Sequence, residues 1–248
     1  MVGAPAAADA VARARRLPGL RVGLHLVLID GYAVLPAIEL RGLVRDDGRF
    51  DDNQLRAGFR YFFTPGIRKR LAAEIRAQFE AFRATGLALD HVNAHKHMHL
   101  HPTVARLILE IGREYGMHAV RLPAEPVAVL RRAFPGERHA GLPPGFAVAW
   151  LRQRLRRAGV ACNDHLFGIA WSGGMSEARL LALLPHLPEG VSEIYFHPAA
   201  ERTAALDAAM PGYRHTDELA ALISPRVRRR IEELDIRLMT YGELTCVS

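Results

Sequence analysis

Gly86-Leu87-Ala88-Leu89-Asp90-His91-Val92-Asn93-Ala94-His95-Lys96-His97-Met98-His99-Leu100-His101-Pro102-Thr103 passes from a glycine turn into a short apolar strand and leaves through a proline-opened helix. Five of the chain's twelve histidines fall inside it. In an extended chain the side chains repeat every second residue, so His91, Asn93, His95 and His97 are expected on one side of the strand. A one-sided row of imidazoles at the C-terminal end of a strand, where a βα loop begins, is the pattern of a metal or catalytic site in α/β folds. A catalytic divalent ion takes about three protein groups and keeps a position for water, so the five histidines are not all ligands. The competing reading is an incidental cluster in a solvated loop. The interleaved Val, Ala, Met and Leu argue against a purification tag.

Working outward, Leu71, Ile75, Phe79 and Phe82 recur at helical spacing and Gly86 is placed to end the helix, so residues 66–85 are expected to pack on a sheet. Val104, Leu107, Ile108, Ile111 and Tyr115 give the following helix, closed by Gly116, and His118 to Pro123 reads as the next strand. Upstream, Ala6 to Arg16 looks helical and Leu20 to Leu28 reads as a strand carrying a lone His25. Such a histidine is more often a packed core residue unless a second ligand lies near it in the fold. Residues 29–65 are irregular by their turn signals, a length typical of a lid or binding loop. Downstream, helices are expected from Phe146 to Ala158, Ser176 to His186, Thr216 to Ile223 and Ser224 to Leu234. Strands are expected at Leu166 to Trp171, Val191 to Phe196 and Ile236 to Tyr241, and the second of these ends at His197-Pro198. Six strands alternating with helices in 248 residues predict a single α/β domain, a (β/α) barrel or close variant.

The net charge is +7, from 33 basic and 26 acidic residues, and every basic residue except Lys69 and Lys96 is arginine. The arginines fall in separate groups on polar helix faces, so solvated faces are preferred over nucleic-acid binding. Attraction to an anionic membrane surface stays open. No apolar run approaches a membrane span and no signal-peptide pattern is present, so a cytoplasmic location is expected. Cys162 and Cys246 match no CxxC spacing, which argues against a thiolate zinc site or a disulfide framework.

Three blocks together carry a resemblance: Gly23-Leu24-His25-Leu26, the segment from Asp90 to His99, and Phe196-His197-Pro198-Ala199. The chain resembles the YdjC/ChbG-like carbohydrate deacetylases over essentially its whole length. Val120-Arg121-Leu122-Pro123 and Asn163-Asp164-His165-Leu166-Phe167-Gly168 bring it closest to the branch associated with hopanoid biosynthesis. The resemblance implies a barrel of the glycoside hydrolase/deacetylase type and metal-dependent removal of an acetyl group from an N-acetylated sugar. In that family one Asp and two His hold a divalent ion, Mg²⁺ or Zn²⁺. Carried over by motif, His25 and His95 are the metal ligands and His197 is the acid or substrate-orienting group. His91, Asn93, His97, His99, Arg121 and Asp164 are expected around them or along the substrate groove. The substrate implied is an N-acetylated sugar or glycolipid, with an N-acetylglucosaminyl hopanoid as the specific case. Contact with the inner membrane surface and a homodimer stay open.

Members of the family begin with a strand ending Ala-Asp-Asp-Phe-Gly, which supplies the third ligand and the general base, and this sequence has no such motif. The first βα unit is therefore expected to be missing from it. Three functions remain: a sugar deacetylase, a catalytically inactive barrel that binds a sugar or partner, and a basic nucleic-acid-binding protein. The last is disfavoured by an aromatic content of 7%, most of it at helical core spacing.

Overall fold

The computed structural model describes residues 1–244; Thr245, Cys246, Val247 and Ser248 lie outside the description, so the reading of Cys246 is not addressed. The chain runs through α1 (Ala7–Arg15), β1 (Val22–Leu26), α2 (Gln54–Phe63), α3 (Pro65–Ala84), β2 (Leu89–Ala94), α4 (Pro102–Gly112) and α5 (Val127–Ala133). It continues through α6 (Gly145–Arg157), β3 (His165–Phe167), α7 (Glu177–Leu183), β4 (Ser192–Ile194), α8 (Ala204–Ala209), α9 (His215–Leu222) and α10 (Pro225–Glu233). The fold is α/β. It divides into two compact units, the first made of Met1–Arg121, Ala149–Cys162 and the residues from Thr240 on, the second of Leu122–Val148 and Asn163–Met239.

In the first unit β1 and β2 pair in parallel, with Leu24 opposite Val92, His25 opposite Asn93 and Leu26 opposite Ala94. Leu24, Leu26, Val92 and Ala94 are buried, and α3 packs on β1 through the stripe Ile67, Leu71, Ile75, Phe79 and Phe82. Gly86 sits at φ +71, the left-handed position that lets the chain leave the helix and turn into β2. Two further segments extend the pairing by single bridges: Val92 with Val120, and Ala119 with Ala161. In the second unit β3 and β4 pair in parallel from His165 opposite Ser192 to Phe167 opposite Ile194. Val129, Leu130, Phe167, Trp171, Met175 and Leu183 form one core cluster there.

Several expectations need correction. The strand expected over His118 to Pro123 is reduced to bridges at Ala119 and Val120. Arg121 still donates its N–H to the Val92 carbonyl at 3.0 Å, but Leu122 is bonded by a side chain instead: the buried Asn163 accepts the Leu122 N–H at 2.7 Å and donates to its carbonyl at 2.8 Å. No strand forms at Ile236 to Tyr241 either, and the end of that segment is taken up by a 3-10 turn over Tyr241–Glu243 that Thr240 caps. The helix expected to be capped by Thr216 begins at His215, with its N-cap position two residues earlier, at Arg214. Within residues 29–65, read as irregular, α2 is a ten-residue helix capped by Asn53, whose side-chain oxygen accepts the Arg56 N–H at 3.0 Å.

The loop that follows β1 is pinned by α3. Gln78 accepts the Val27 N–H at 2.9 Å and donates to the Val27 carbonyl at 2.7 Å, as a neighbouring strand would. One turn away, fully buried Glu74 accepts the N–H groups of Val34 at 2.8 Å and Leu35 at 3.0 Å. Burial raises the Glu74 carboxyl above its ordinary range, against those hydrogen bonds. Among the described residues no helix is long and apolar enough to cross a membrane.

Candidate functional site

Because His25 and Asn93 are opposite each other in neighbouring parallel strands, their side chains emerge side by side, and His25 Nδ1 lies 2.5 Å from the Asn93 carboxamide. The other end of that carboxamide faces Arg121. With its oxygen toward the guanidinium it accepts from both terminal nitrogens at 3.2 Å, while its NH₂ donates to His25 Nδ1.

His95 follows two residues after Asn93 and opens a 3-10 turn, His95–Leu100. Its Nδ1 stands 3.5 Å from His25 Nε2, with the ring centroids 5.6 Å apart and the planes at 71°. Burial drives the His25 imidazole down to about 3, partly offset by Asn93 and reinforced by His95 and Arg121. His25 is therefore neutral near pH 7, the form in which an imidazole donates to an ion. Two ligand bonds of about 2.1 Å around a tetrahedral ion put their nitrogens about 3.4 Å apart, close to the separation of this pair. The two donors fit an ion on that test. Among the described residues no group of three or more His, Cys, Asp or Glu stands together in a way that could hold one.

The expected alternation ends at His95. Lys96 and His97 adopt φ 48 and 54, so the chain turns left-handed and His97 does not continue the strand face. His97 instead stands edge-on to His99 at 5.9 Å. His99 is buried, and burial holds it well below the usual imidazole range. His101 lies edge-on to Tyr61 at 6.1 Å and Phe62 at 6.2 Å. His91 stacks on Tyr241 at 4.3 Å, with its Nδ1 3.0 Å from the Asp90 carboxylate. Gly23 is a further neighbour, where a Cβ would come within 2.6 Å of the His91 ring. Lys96 is fixed from two sides: its ammonium pairs with Asp30 at 2.7 Å, and its carbonyl accepts from the Gln54 side chain at 2.9 Å.

His197 and Asp164 belong to the second unit. The His197 N–H donates to the buried Glu218 carboxylate, and the His197 carbonyl takes a bond from His215 Nδ1 at 2.6 Å. The His197 ring stands edge-on to Tyr195 at 5.4 Å and Tyr213 at 5.2 Å. Asp164 accepts the Val191 N–H at 2.9 Å. Glu218, which also accepts the Met175 N–H at 2.9 Å, was not legible as a site-building residue. The one signal for it is its place between His215 and Ala221 at three-residue spacing, the buried face of α9.

The family model for YdjC-like proteins matches residues 1–233. The chain belongs to the YdjC-like family. Its relatives include a carbohydrate deacetylase of Geobacillus stearothermophilus, 27% identical over 98% of this chain and 84% of that protein. A carbohydrate deacetylase of Vibrio vulnificus is 31% identical over 98% of this chain and 83% of that protein. Among solved structures, an Enterococcus faecalis protein named for cellobiose-phosphate cleavage superposes with a TM-score of 0.74. It is 22% identical and the match covers 99% of this chain and 86% of that one, a likeness of fold. Within this YdjC-like chain the Gly23 to Leu26 and Asp90 to His99 blocks are the two strand ends that meet at the histidine pair.

Proposed function

We propose that this YdjC-like protein is a metal-dependent hydrolase that removes the acetyl group from the amide nitrogen of an N-acetylated sugar, on a (β/α) barrel scaffold. The observation that carries the reading is the 3.5 Å approach of His25 Nε2 to His95 Nδ1. His25 and His95 would hold a divalent ion, Mg²⁺ or Zn²⁺, and the chemistry such an ion would supply there is polarisation of the amide carbonyl and acidification of a water.

The residues of the chain do the positioning. Asn93 sets the His25 tautomer: with the carboxamide oxygen turned to Nδ1, that nitrogen carries the proton and Nε2 presents its lone pair. Arg121 favours the opposite rotation, with the carboxamide oxygen on its guanidinium and the NH₂ on Nδ1, so presenting the Nε2 lone pair requires the Asn93 carboxamide to turn over. His91, held between Gly23 and Tyr241, walls the pair on the strand side. His97 and His99 follow the pair in the same turn, and the family resemblance assigns Asp164 a substrate-side role and His197 the role of acid or sugar-orienting group. The substrate class is a glycolipid, with an N-acetylglucosaminyl hopanoid the specific case, met at the inner membrane surface. The support for that detail is the Val120 to Pro123 and Asn163 to Gly168 blocks. A second reading, a barrel that binds the sugar without turnover, is favoured by a donor set of two imidazoles joined by no carboxylate among the described residues.

The test is calorimetric titration with Zn²⁺ beside an acetate-release assay on N-acetylglucosaminyl substrates. One equivalent of Zn²⁺ is expected, weakened at least about 10-fold by His25→Ala or His95→Ala and less by His97→Ala. Unchanged Zn²⁺ affinity in both ligand variants refutes the pair. Binding without acetate release selects the second reading.

A further inference from the structure

α2 is amphipathic the wrong way round for a surface helix. It buries Ala57 and Tyr61, whose hydroxyl donates to the Leu28 carbonyl at 2.5 Å. On the opposite side Leu55, Phe59, Phe62 and Phe63 are 87%, 66%, 48% and 60% exposed. These four are spaced i, i+4, i+7 and i+8, an arc of about 100° at 3.6 residues per turn. The rings are already gathered into one patch, Phe59 on Phe63 at 4.4 Å and Phe62 on Phe63 at 4.9 Å. Exposing three phenylalanines together on one short helix is costly in water unless another phase receives them.

Charge identifies that phase. From Asn53 to Ala73 the sequence holds Arg56, Arg60, Arg68, Lys69 and Arg70 and no acidic residue. Arg56 and Arg60 lie along one edge of the apolar arc on the helical wheel, Arg56 in an ion pair with Asp51. Arg68, Lys69 and Arg70 fall in the first turns of α3, directly after the phenylalanine end of α2. An apolar aromatic face edged by cations is the arrangement of a helix lying in the interface of an anionic bilayer. A second copy of the chain fits less well: the patch offers roughly 400–500 Å², taking about 150–250 Å² for a whole aromatic side chain. A stable protein interface needs about 800 Å² per partner. Two contacts join α2 to the candidate site, Gln54 Nε2 to the Lys96 carbonyl at 2.9 Å and Phe62 edge-on to His101 at 6.2 Å.

We infer that α2 is a membrane-docking helix that seats Phe59, Phe62 and Phe63 in the headgroup region of an anionic bilayer and so presents the histidine turn to a lipid-borne substrate. Docking rests on α2 alone; the glycolipid substrate rests on the function proposed above, and the test keeps the two apart by measuring no turnover. The full chain is sedimented with vesicles of phosphatidylcholine, or of phosphatidylcholine with about a third phosphatidylglycerol, at low and high salt. The variants are Phe59→Ser/Phe62→Ser/Phe63→Ser and Lys69→Glu/Arg70→Glu, each checked for an unchanged thermal midpoint. All the substituted groups are at least partly solvent-exposed. The wild type is expected to partition to anionic vesicles at least about 10-fold better than to neutral ones, with the advantage lost in high salt. Each variant is expected to lose about 10-fold or more on anionic vesicles. Absence of wild-type partitioning overturns the inference, as does wild-type partitioning by the triple serine variant. A concentration-dependent dimer abolished by the serine changes, without vesicle binding, assigns the patch to self-association and overturns it equally.

Discussion

Gly23→Ala tests how tightly the His25 strand and the His91 strand are fitted. An added Cβ would stand 2.6 Å from His91 Cε1 and 2.7 Å from Nε2, about 1 Å inside ordinary contact. The ring has little room to yield, because Tyr241 stacks on it at 4.3 Å and Asp90 holds its Nδ1 at 3.0 Å. Overpacking of this kind costs about 1–3 kcal/mol. For a chain of this size that is a fall in thermal midpoint of about 2–10 °C. The assay is a double-mutant cycle in thermal and urea denaturation with Gly23→Ala, His91→Ala and both. If the ring is the obstacle, the double variant is no less stable than His91→Ala alone, and the coupling offsets most of the single cost. Additive losses, or a silent Gly23→Ala, refute the close-fit argument and with it the account of why this position is glycine.

Three further outcomes follow from buried polar groups. Glu74→Ala strands the N–H groups of Val34 and Leu35, so a loss of about 2–4 kcal/mol in urea unfolding is expected, with faster hydrogen exchange at those two amides. Asn163→Ala removes a buried side chain bonded to the Leu122 N–H and carbonyl and to the His165 carbonyl, for a similar loss of about 2–4 kcal/mol by the same measurement. Asp51 has its carboxyl held below the usual range by the Arg56 guanidinium. A folded pKa below the unfolded one gives stability that is full above about pH 4 and lost as pH falls. Asp51→Asn should therefore lower the urea midpoint at pH 7, and its difference from the wild type should narrow by pH 3; a constant difference contradicts the ion pair as the cause.

The parts of the fold that were legible in the sequence are those whose burial follows a regular period. The stripe from Ile67 to Phe82 gives α3 to within two residues, and the apolar run before the histidines gives β2. The meeting of His25 and His95 came from motif resemblance and the rule that sites gather at strand ends, and the parallel register supplies its physical cause. What was missed has equally local reasons. α2 hides from a core-facing pattern because its apolar residues face solvent and only Ala57 and Tyr61 face in. Alternation failed at His97 because it presumes an extended chain, and Lys96 has already left that conformation. The strand at His118 to Pro123 shrank because Asn163, 41 residues away from Leu122, takes the backbone bonds that a strand partner would have made.

Of the four non-glycine residues at positive φ among those described, Asp30, Lys96 and His97 lie in the segments that follow β1 and β2; the fourth is Asp235. Glycine would adopt each of these conformations with less strain, and asparagine would tolerate them. A laboratory selection that rewards heat resistance alone would thus find some of its easiest gains beside the histidine pair, by replacing Lys96 or His97 with glycine. Each such gain would delete the Lys96 bond to Asp30 or the imidazole that stands against His99. Thermostable descendants from such a selection would need to be screened for ligand binding at every round, since heat resistance and competence would pull these two positions in opposite directions.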